Sequence, residues 1–385
     1  MALLTLVDAA PSTRVLSSDL SVIEMDPWKD PRWETFVLRH PESTVYHHPA
    51  WLQVLQREYR QPGVYLGCEE RDGTLRGIFP LLYTRGLPFR GRHPLVGSRL
   101  CSLPRTPGGG PLGVDQKALS MLVYEAQKRA SARSSLRLQI KTQTEQLSEG
   151  IEGITREAWR QKYVVYLAGQ VGQPYRIPGS QDRSSVKRAI NKAIASGVCT
   201  RPAETEDELR TWYQIYLETM RRNFVPARPY RLFRAMWDLM RPRQMMRLLL
   251  AEHKTKFNSR IIGGHLFFFF GGTVTYAFGA SRAEDFSLRP NDIIMEQAIN
   301  DASKAGFRFV DLGEVPEGDY NLARFKAKWG AAPVRMCRFY FPELRDTRPY
   351  CDETEDYAGI HAQKIWNHVP LVITSWLGDY IYAHL

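Results

Sequence analysis

The sequence predicts an α/β (α+β) protein with two similar domains in tandem, each a mixed sheet flanked by helices. The first observation is a repeated order of elements: a strand hairpin, a glycine-containing loop, a helix and a strand occur at 64–140 and again at 247–312. The second is length, because 385 residues suffice for two domains that each bury a core. We expect domains at 1–160 and 161–345, followed by an amphipathic extension at 346–385.

The composition is that of a globular protein, with 43% hydrophobic and 24% charged residues. No apolar run approaches the roughly 20 residues that a membrane helix needs. Residues 1–15 lack the basic region of a secretory signal, so we expect a cytoplasmic location. The net charge of +11 favours anionic partners such as tRNA, a nucleotide-linked sugar, CoA or an acidic membrane face, or else it marks a solvated basic surface.

Cysteine and histidine spacing predicts neither disulfides nor a metal site. The five cysteines are odd in number, widely spaced and without a CxxC pair, at Cys68, Cys101, Cys199, Cys337 and Cys351. His47 and His48 are adjacent, but no second pair of ligands accompanies them at helical spacing. The sequence also lacks a GxSxG elbow, a P-loop, a GxGxxG after a strand and an HExxH motif. We therefore expect no metal.

The first half is predicted to contain two helices, the first at Trp33–Leu38, then a hairpin, a third helix and a strand. Pro49 begins a helix that carries Trp51, and the pair Asp72-Gly73 is a strong hairpin turn between strands at 64–68 and 75–83. Apolar residues at helical spacing predict a helix at 116–130, and 136–140 is a predicted strand.

The second half begins with a strand at 163–167 and a basic helix at 184–194. Thr205 and Glu208 have capping-box spacing, so a long helix is expected to start there. Strands at 264–270 and 273–281 form a hairpin, with Gly279 as a break or bulge. Asn291 and Asp292 are predicted to cap the next helix, and a strand at 307–312 follows. Asp311, near the end of that strand, and Glu314 beyond it are then close to a cleft, since open α/β sheets keep their chemistry there.

An ordered series of residues in this half resembles the FemABX-like branch of the GNAT acyltransferase superfamily. It consists of the hairpin with Tyr276–Ser281, then Arg289–Asp292, a helix, Asp311–Gly313 and Arg324–Gly330. The series also resembles the related acetyltransferase domain of polysaccharide gene clusters, and these residues do not separate the two groups. The resemblance implies two GNAT-like domains that face each other and an aminoacyl group carried from a charged tRNA to an amine.

The resemblance also implies roles for individual residues. The matching family has a Phe-Lys pair whose lysine lies at the reacting carbonyl, here Phe325 and Lys326. Thr219 and Arg222 match residues that line the acceptor pocket, with Tyr230 following. Candidate catalytic residues are Lys326, Phe325, Asp311 and Glu314; candidate substrate-binding residues are Thr219, Arg222, Tyr230, Tyr276, Asn291 and Trp51.

One position departs from the family pattern. Members that use a nucleotide-linked cell-wall precursor have a lysine about one turn after the tryptophan that matches Trp51, and this chain has Leu55 there. A soluble nucleotide-linked peptide is thereby disfavoured as acceptor. A lipid-linked precursor, an exopolysaccharide sugar amine and a small-molecule amine remain open.

Several cations are candidates for contact with nucleic acid. The basic helix matches the family pattern R/K-x-x-x-K-A-x-x-x-G through Arg188 and Lys192, and Lys187 adds a third charge. A solvated basic face is the alternative interpretation of that helix. Arg324 and Lys328 are surface charges, or they meet the tRNA backbone.

Binding of CoA by the usual GNAT mode is disfavoured. That mode holds the pyrophosphate on backbone N–H groups of a glycine-rich loop at a helix N-terminus. The corresponding residues, Ser287–Asp292, contain no glycine, Pro290 has no N–H, and Asp292 adds a negative charge. We therefore expect no cofactor, with aminoacyl-tRNA as acyl donor and acyl-CoA as the alternative.

Three hypotheses of function follow. The first is an aminoacyl or acyl transferase that forms an amide on an amine of a cell-envelope precursor. The second is a GNAT-type N-acyltransferase that uses a thioester in exopolysaccharide or lipid modification, and the third is a noncatalytic GNAT-like scaffold. The segment 365–382 is either a docked terminal helix, which its few basic residues favour, or a peripheral membrane contact through its Trp and Tyr residues.

Overall fold

The chain folds around one continuous mixed sheet of 13 strands. A computed structural model describes residues 20–59, 63–86, 98–132, 136–142, 147, 151–167, 172–342 and 369–384. The strands are β1 (Ser21–Glu24), β2 (Gly63–Glu69), β3 (Leu75–Thr84), β4 (Arg99–Cys101), β5 (Leu112–Gly113), β6 (Arg137–Thr142), β7 (Thr155–Tyr166), β8 (Val198–Pro202), β9 (Met246–Lys254), β10 (Ser259–Phe270), β11 (Thr273–Ser281), β12 (Phe309–Val315) and β13 (Ala332–Phe341). Their order is β1-β2-β3-β4-β6-β13-β7-β12-β11-β10-β9-β8, and β5 pairs with β3.

The helices cover both faces of this sheet. They are α1 (Pro31–Arg39), α2 (Pro49–Tyr59), α3 (Gln116–Ser131), α4 (Ser180–Ala195), α5 (Glu206–Arg222), α6 (Tyr230–Leu239), α7 (Pro290–Lys304), α8 (Tyr320–Ala327) and α9 (Leu371–His384). The capping box of Thr205 and Glu208 is present at the start of α5, as predicted. No helix in the described ranges is both long enough and apolar enough to span a bilayer.

The predicted repeat of mixed α/β units is confirmed. In the first half the hairpin β2–β3 continues into β4, and β4 pairs in parallel with β6 after helix α3. In the second half the hairpin β10–β11 is followed by α7, and β11 pairs in parallel with β12. Each half is thus a GNAT-like sheet in which one parallel pair interrupts an otherwise antiparallel order.

Two long strands join the halves. β7 pairs with β12 of the second half and with β13, whereas β13 also pairs with β6 of the first half. The predicted boundary at 160/161 therefore lies inside β7, and the last of the described strands, β13, crosses back between the halves.

The largest hydrophobic core also spans both halves. Trp33, Trp51 and Leu55 of the first half pack in the same buried cluster as Trp212 of α5 and Phe233 of α6. Separate cores lie under α3 and between α4 and α7. Because burial of large apolar side chains dominates stability, the shared core fixes the position of one half against the other.

Helix α7 begins differently from the sequence prediction. Its N-cap is Arg289, which has left-handed backbone angles and makes no side-chain cap, and Pro290 occupies the first turn. Asn291 and Asp292 lie inside that turn, so the prediction that they cap the helix is wrong. Proline at the first helical position needs no N–H partner, which explains why the helix starts there.

The irregularity in β11 is also not at Gly279. Leu266 pairs with Phe278 and Phe267 pairs with Tyr276, so Ala277 is the extra residue of the bulge. Gly279 remains in register, and an added Cβ there would lie 1.8 Å from the Tyr276 hydroxyl oxygen. The glycine is therefore required for close packing of the tyrosine.

The terminal extension is described only from Val369, so the predicted segment 365–382 lies partly outside the described residues. Its helix, α9, docks on the second half: Tyr382 Oη donates to the carbonyl of Pro226 at 2.9 Å, and Asp379 pairs with Arg231. Ile373, Trp376 and Tyr380 are exposed on the opposite side. The docked alternative matches these contacts, while the membrane alternative stays a prediction.

Candidate functional site

The site forms where two parallel strands separate. β11 and β12 pair only from Thr273 to Thr275 and from Phe309 to Asp311. Beyond that point β11 bulges at Ala277, whereas β12 continues beside β7 through Glu314. The resulting gap opens into a cavity of about 360 Å³.

Both halves of the chain line this cavity. Its aromatic wall combines Tyr46 and Trp51 of the first half with Phe268, Tyr276 and Phe278 of the second, and Tyr382 of α9 closes one side. The basic lining residues are Arg99, Arg105, Lys141, Arg160, Lys162, Arg228 and Arg338, and the acidic ones are Asp311 and Glu314. The cavity is thus strongly cationic around two carboxylates.

The two carboxylates are held by strand β7. Asp311 Oδ2 accepts from Lys162 Nζ at 2.9 Å, and Oδ1 accepts from the N–H of Gly313 at 2.8 Å. Glu314 Oε2 accepts from Trp159 Nε1 at 3.1 Å. Each carboxylate accepts from one side-chain donor of β7, which fixes its orientation in the cavity.

Lys326 lies directly behind these residues. Its side chain, on α8, is 4% exposed, and Nζ donates to the carbonyl oxygens of Gly313 at 3.0 Å and Glu314 at 2.8 Å. Burial lowers the pKa of Lys326 to about 8, although the nearby Asp311 and Glu314 charges oppose that shift. The lysine is therefore still mostly charged at neutral pH.

Gly313 separates Lys326 from the strand gap. Its φ is +80°, and a Cβ there would lie 3.8 Å from Lys326 Nζ and 3.6 Å from the carbonyl oxygen of Tyr276 on β11. Lys326 is not itself a lining residue of the cavity, but its ammonium group is close to the point where β11 and β12 part. Phe325 is half-buried beside it.

The predicted substrate-binding residues divide into two groups. Trp51 and Tyr276 line the cavity, as do the carboxylates Asp311 and Glu314. Thr219, Arg222, Tyr230 and Asn291 are not lining residues, so the structure does not bring them together with the first group.

The second group holds secondary structure in place. Thr219 Oγ1 and Arg222 Nη2 both donate to the carbonyl of Ser281, at 3.4 and 3.3 Å, which ties α5 to the end of β11. Asn291 Oδ1 accepts from Ser281 Oγ at 2.5 Å and from His265 Nε2 at 3.0 Å.

Tyr230 lies in a surface ion-pair cluster. Its hydroxyl donates to Glu206 Oε1 at 3.2 Å, and Glu206 is also paired with Arg210 and Arg234. The ring packs edge-on against Tyr213, which places it at the base of α6.

The predicted cations have different surroundings. Lys187, Arg188 and Lys192 are exposed on α4, and Arg324 is exposed on α8. Lys328 instead pairs with the buried Asp292, and its Nζ lies 4.3 Å from the centroid of the Phe325 ring. The face of α4 is thus available to an anionic partner, whereas Lys328 is engaged within the protein.

The N-terminus of α7 is already occupied by protein groups. Asp292 is 4% exposed in the first turn and pairs with Lys328, while the Asn291 side chain is committed to His265 and Ser281. A carboxylate in the first turn already offsets the positive end of the helix dipole. The arrangement is unlike a glycine-rich pyrophosphate loop.

The histidines and cysteines considered above as metal ligands or disulfide partners have the following surroundings. His47 Nε2 donates to the carbonyl of Gly110 at 3.0 Å, and His48 Nε2 lies 3.0 Å from Glu34 Oε1. Cys68, Cys101, Cys199 and Cys337 are free thiols, and Cys351 lies outside the described residues. The ranges that the structure describes contain no group of three metal-ligating side chains.

Sequence reasoning missed several cavity residues. Lys141 is buried, and its burial lowers the pKa to about 7. Arg228 forms a buried ion pair with Glu58, 170 residues away, at 2.9 Å. Tyr382 enters from the terminal helix. None belongs to a motif, and only the fold brings these distant positions together.

Comparison with known proteins supports the GNAT interpretation. Residues 180–327 match the family described as an acetyltransferase (GNAT) domain. No curated protein sequence matches the chain.

Solved structures share the fold of nearly the whole chain. FemX is similar over 82% of this chain and 96% of its own, with 15% identity and a TM-score of 0.62. L-PGS from Bacillus licheniformis is similar over 94% of this chain and 98% of its own, with 12% identity and a TM-score of 0.54. The third is the C-terminal domain of a protein from Agrobacterium fabrum that is described as a lysylphosphatidylglycerol synthetase. It is similar over 82% of this chain and 92% of its own, with 12% identity and a TM-score of 0.51.

These likenesses agree with the mixed sheet described above. Residues 180–327 therefore match a GNAT acetyltransferase domain, within a chain that shares the fold of FemX.

Proposed function

We propose that this protein transfers an aminoacyl group from aminoacyl-tRNA to an amine of a cell-envelope precursor. The observation that carries the proposal is that Asp311 and Glu314 line a cavity formed by both halves, with the Lys326 ammonium directly behind them at the strand gap. FemX and the domain described as part of a lysylphosphatidylglycerol synthetase share the fold of this chain, and this likeness supports transfer of an aminoacyl group to a component of the cell envelope.

The reaction needs a base, a cation and alignment of two substrates. The acceptor amine attacks the ester carbonyl carbon of the donor, and a C–N bond forms while the carbonyl oxygen takes negative charge. Asp311 or Glu314 takes the proton from the amine. The ester C–O bond then breaks, the ribose hydroxyl oxygen leaves with that proton, and the product is an amide.

Lys326 is the proposed cation for the developing oxyanion. Nζ uses two of its hydrogens on the carbonyls of Gly313 and Glu314, which leaves a third for an oxygen near the gap. Because Gly313 has no side chain, only its backbone lies between Nζ and the gap. Fixed donors of this type are worth several kcal/mol in the transition state.

Two features favour aminoacyl-tRNA over acyl-CoA as the acyl donor: the basic face of α4, and the carboxylate of Asp292 at the start of α7. Asp292, paired with Lys328, lies where a CoA pyrophosphate would approach in an ordinary GNAT domain. The exposed face of α4 with Lys187, Arg188 and Lys192 suits the phosphate backbone of tRNA. A lipid-linked precursor, an exopolysaccharide amine and a small-molecule amine are the acceptors to compare.

Binding of the donor tests the proposal. Isothermal titration of the full-length protein with charged tRNA and, separately, with acetyl-CoA should give saturable binding of tRNA and none of acetyl-CoA at micromolar concentration. Micromolar acetyl-CoA binding without tRNA affinity would instead support an N-acyltransferase that uses a thioester. Absence of turnover with every donor would favour a scaffold.

A further inference from the structure

The loop between β4 and β5 has an unusual backbone where it lines the cavity. Leu103 has a φ of +57° and Arg105 a φ of +54°, although neither is glycine. Left-handed angles are sterically unfavourable for such residues and persist only where the surroundings enforce them. Pro104, Arg105, Thr106 and Pro107 all line the cavity.

The first half of the chain holds this loop through Lys141. Its Nζ donates to the carbonyl of Leu103 at 3.1 Å and to that of Thr106 at 3.5 Å, so one buried amine spans the loop. The backbone N–H of Lys141 donates to Ser102 Oγ at 2.7 Å. The start and the middle of the loop are thus fixed to β6.

The second half holds the same loop through Arg228. Nη2 donates to the carbonyl of Arg105 at 3.0 Å, while Nη1 pairs with Glu58 of α2 at 2.9 Å. The Glu58 side chain is fully buried, and the side chain of Arg228 is 10% exposed. Arg228 is held in place by Glu58, because a buried guanidinium needs a counter-ion. Through Nη2 the same guanidinium fixes the carbonyl of Arg105.

The result is a rigid loop that presents one arginine. The Arg105 side chain is exposed and lines the cavity, and its guanidinium carbon lies 5.2 Å from the centroid of the Tyr382 ring. Within the described part of the chain this guanidinium pairs with no carboxylate. Of the two acidic lining residues, Asp311 is paired with Lys162 and Glu314 with the indole of Trp159.

We propose that the loop 102–107 is a preformed anion-binding loop, in which Arg105 binds a phosphate or carboxylate oxygen of a substrate held in the cavity. A planar guanidinium binds either oxyanion through paired hydrogen bonds. A loop that is held in place before the ligand arrives loses little entropy on binding. This inference deepens the proposed function, because it gives the substrate in the same cavity an anionic group.

Direct binding of small anions to the full-length protein tests the loop. Isothermal titration with inorganic pyrophosphate represents a phosphate group, and titration with succinate represents a carboxylate. We expect one of the two to bind the parent protein, and the Arg105→Gln variant to bind it about 10- to 100-fold more weakly, as for a lost charged hydrogen bond. The tighter of the two anions identifies the source of the oxyanion.

Two further variants complete the test. Arg105→Asn serves if the glutamine variant does not fold, because asparagine tolerates left-handed backbone angles. Arg39→Gln removes an exposed arginine at the end of α1 and should leave both titrations unchanged.

The proposal fails if neither anion binds the parent protein at millimolar concentration, or if the Arg105 variants bind as the parent does. The proposed transfer reaction is measured separately with tRNA and thioester donors. Anion binding that needs Arg105 with no turnover would refute only the reaction, and turnover with no Arg105-dependent binding would refute only the loop.

Discussion

Replacing Lys326 by methionine separates its charge from its packing. Methionine keeps much of the aliphatic stem, so the space between α8 and β12 stays filled. What is lost is the ammonium group that donates to the carbonyls of Gly313 and Glu314. We expect turnover to fall about 10²- to 10³-fold, the range for loss of one oxyanion donor.

Two terms that oppose each other set the stability of this variant. The difference between the ordinary pKa of 10.5 and about 8 means that the charged lysine costs roughly 3 kcal/mol in the folded state at pH 7. Methionine removes that cost but leaves two carbonyls without their donor, at about 1–3 kcal/mol for each. We therefore expect the net change in the free energy of unfolding to lie between a gain of about 1 kcal/mol and a loss of about 3 kcal/mol.

The pH profile supplies a second signature. The folded pKa of about 8 means that Lys326 is charged below this pH and neutral above it. Parent activity should decline as the pH rises through 8, whereas the residual activity of the methionine variant should show no such step. Arginine at this position should not restore turnover, because its planar fork has a different reach.

Steady-state turnover of parent and variant proteins, together with urea unfolding of each, measures these effects. Lys304→Met is the matched control, since Lys304 is an exposed lysine at the end of α7. A Lys326→Met protein that turns over at the parent rate, with the same decline above pH 8, would refute the assigned role.

Three other changes give distinct results. Replacing Lys187, Arg188 and Lys192 with alanine should weaken tRNA binding and flatten its logarithmic salt dependence by about 0.9 for each lost duplex phosphate contact, or about 0.7 for each single-strand contact, in filter binding; an unchanged slope would mean a solvated face. Lys141 has a folded pKa of about 7, below its unfolded value, so the unfolded state binds more protons above pH 7 and stability rises with pH. Relative to Lys141→Met, the parent should therefore gain about 2 kcal/mol of unfolding free energy from pH 7 to pH 9 in urea titrations, and parallel curves would contradict this. Glu58→Gln should cost about 3 kcal/mol because it leaves Arg228 buried without its counter-ion, and a loss below about 1 kcal/mol in the same titrations would argue against that pair.

Local signals predicted much of the fold. The pair Asp72-Gly73 placed the first hairpin, the capping box of Thr205 and Glu208 placed α5, and apolar spacing placed α3 and α7. These signals act over a few residues, so they are visible in the chain itself. The start of α7 was mispredicted because Asn291 has the chemistry of a cap but uses its side chain on His265 and Ser281.

Long-range pairings left no such signal. The strand β13 returns to pair with β6 of the first half, about two hundred residues earlier, and Glu58 meets Arg228 across the two halves. In the sequence Lys141 is only a polar residue near the end of a predicted strand. Its burial, and the hydrogen bonds from its Nζ to the loop at 102–107, are visible only in the folded chain. The resemblance pointed to Lys326, but the strand gap and the walls of the cavity from the first half required the fold.

Transfer of a labelled aminoacyl group tests the central claim most directly. The full-length protein is incubated with tRNA charged with radiolabelled amino acids, acetyl-CoA with a different label, and amine acceptors that include a lipid-linked envelope precursor, an amino sugar polymer and a simple amine. We predict that the aminoacyl label moves to an acceptor in an alkali-stable amide, and that Lys326→Met slows this movement about 10²- to 10³-fold. Transfer of the acetyl label with the aminoacyl label left on tRNA would contradict the account.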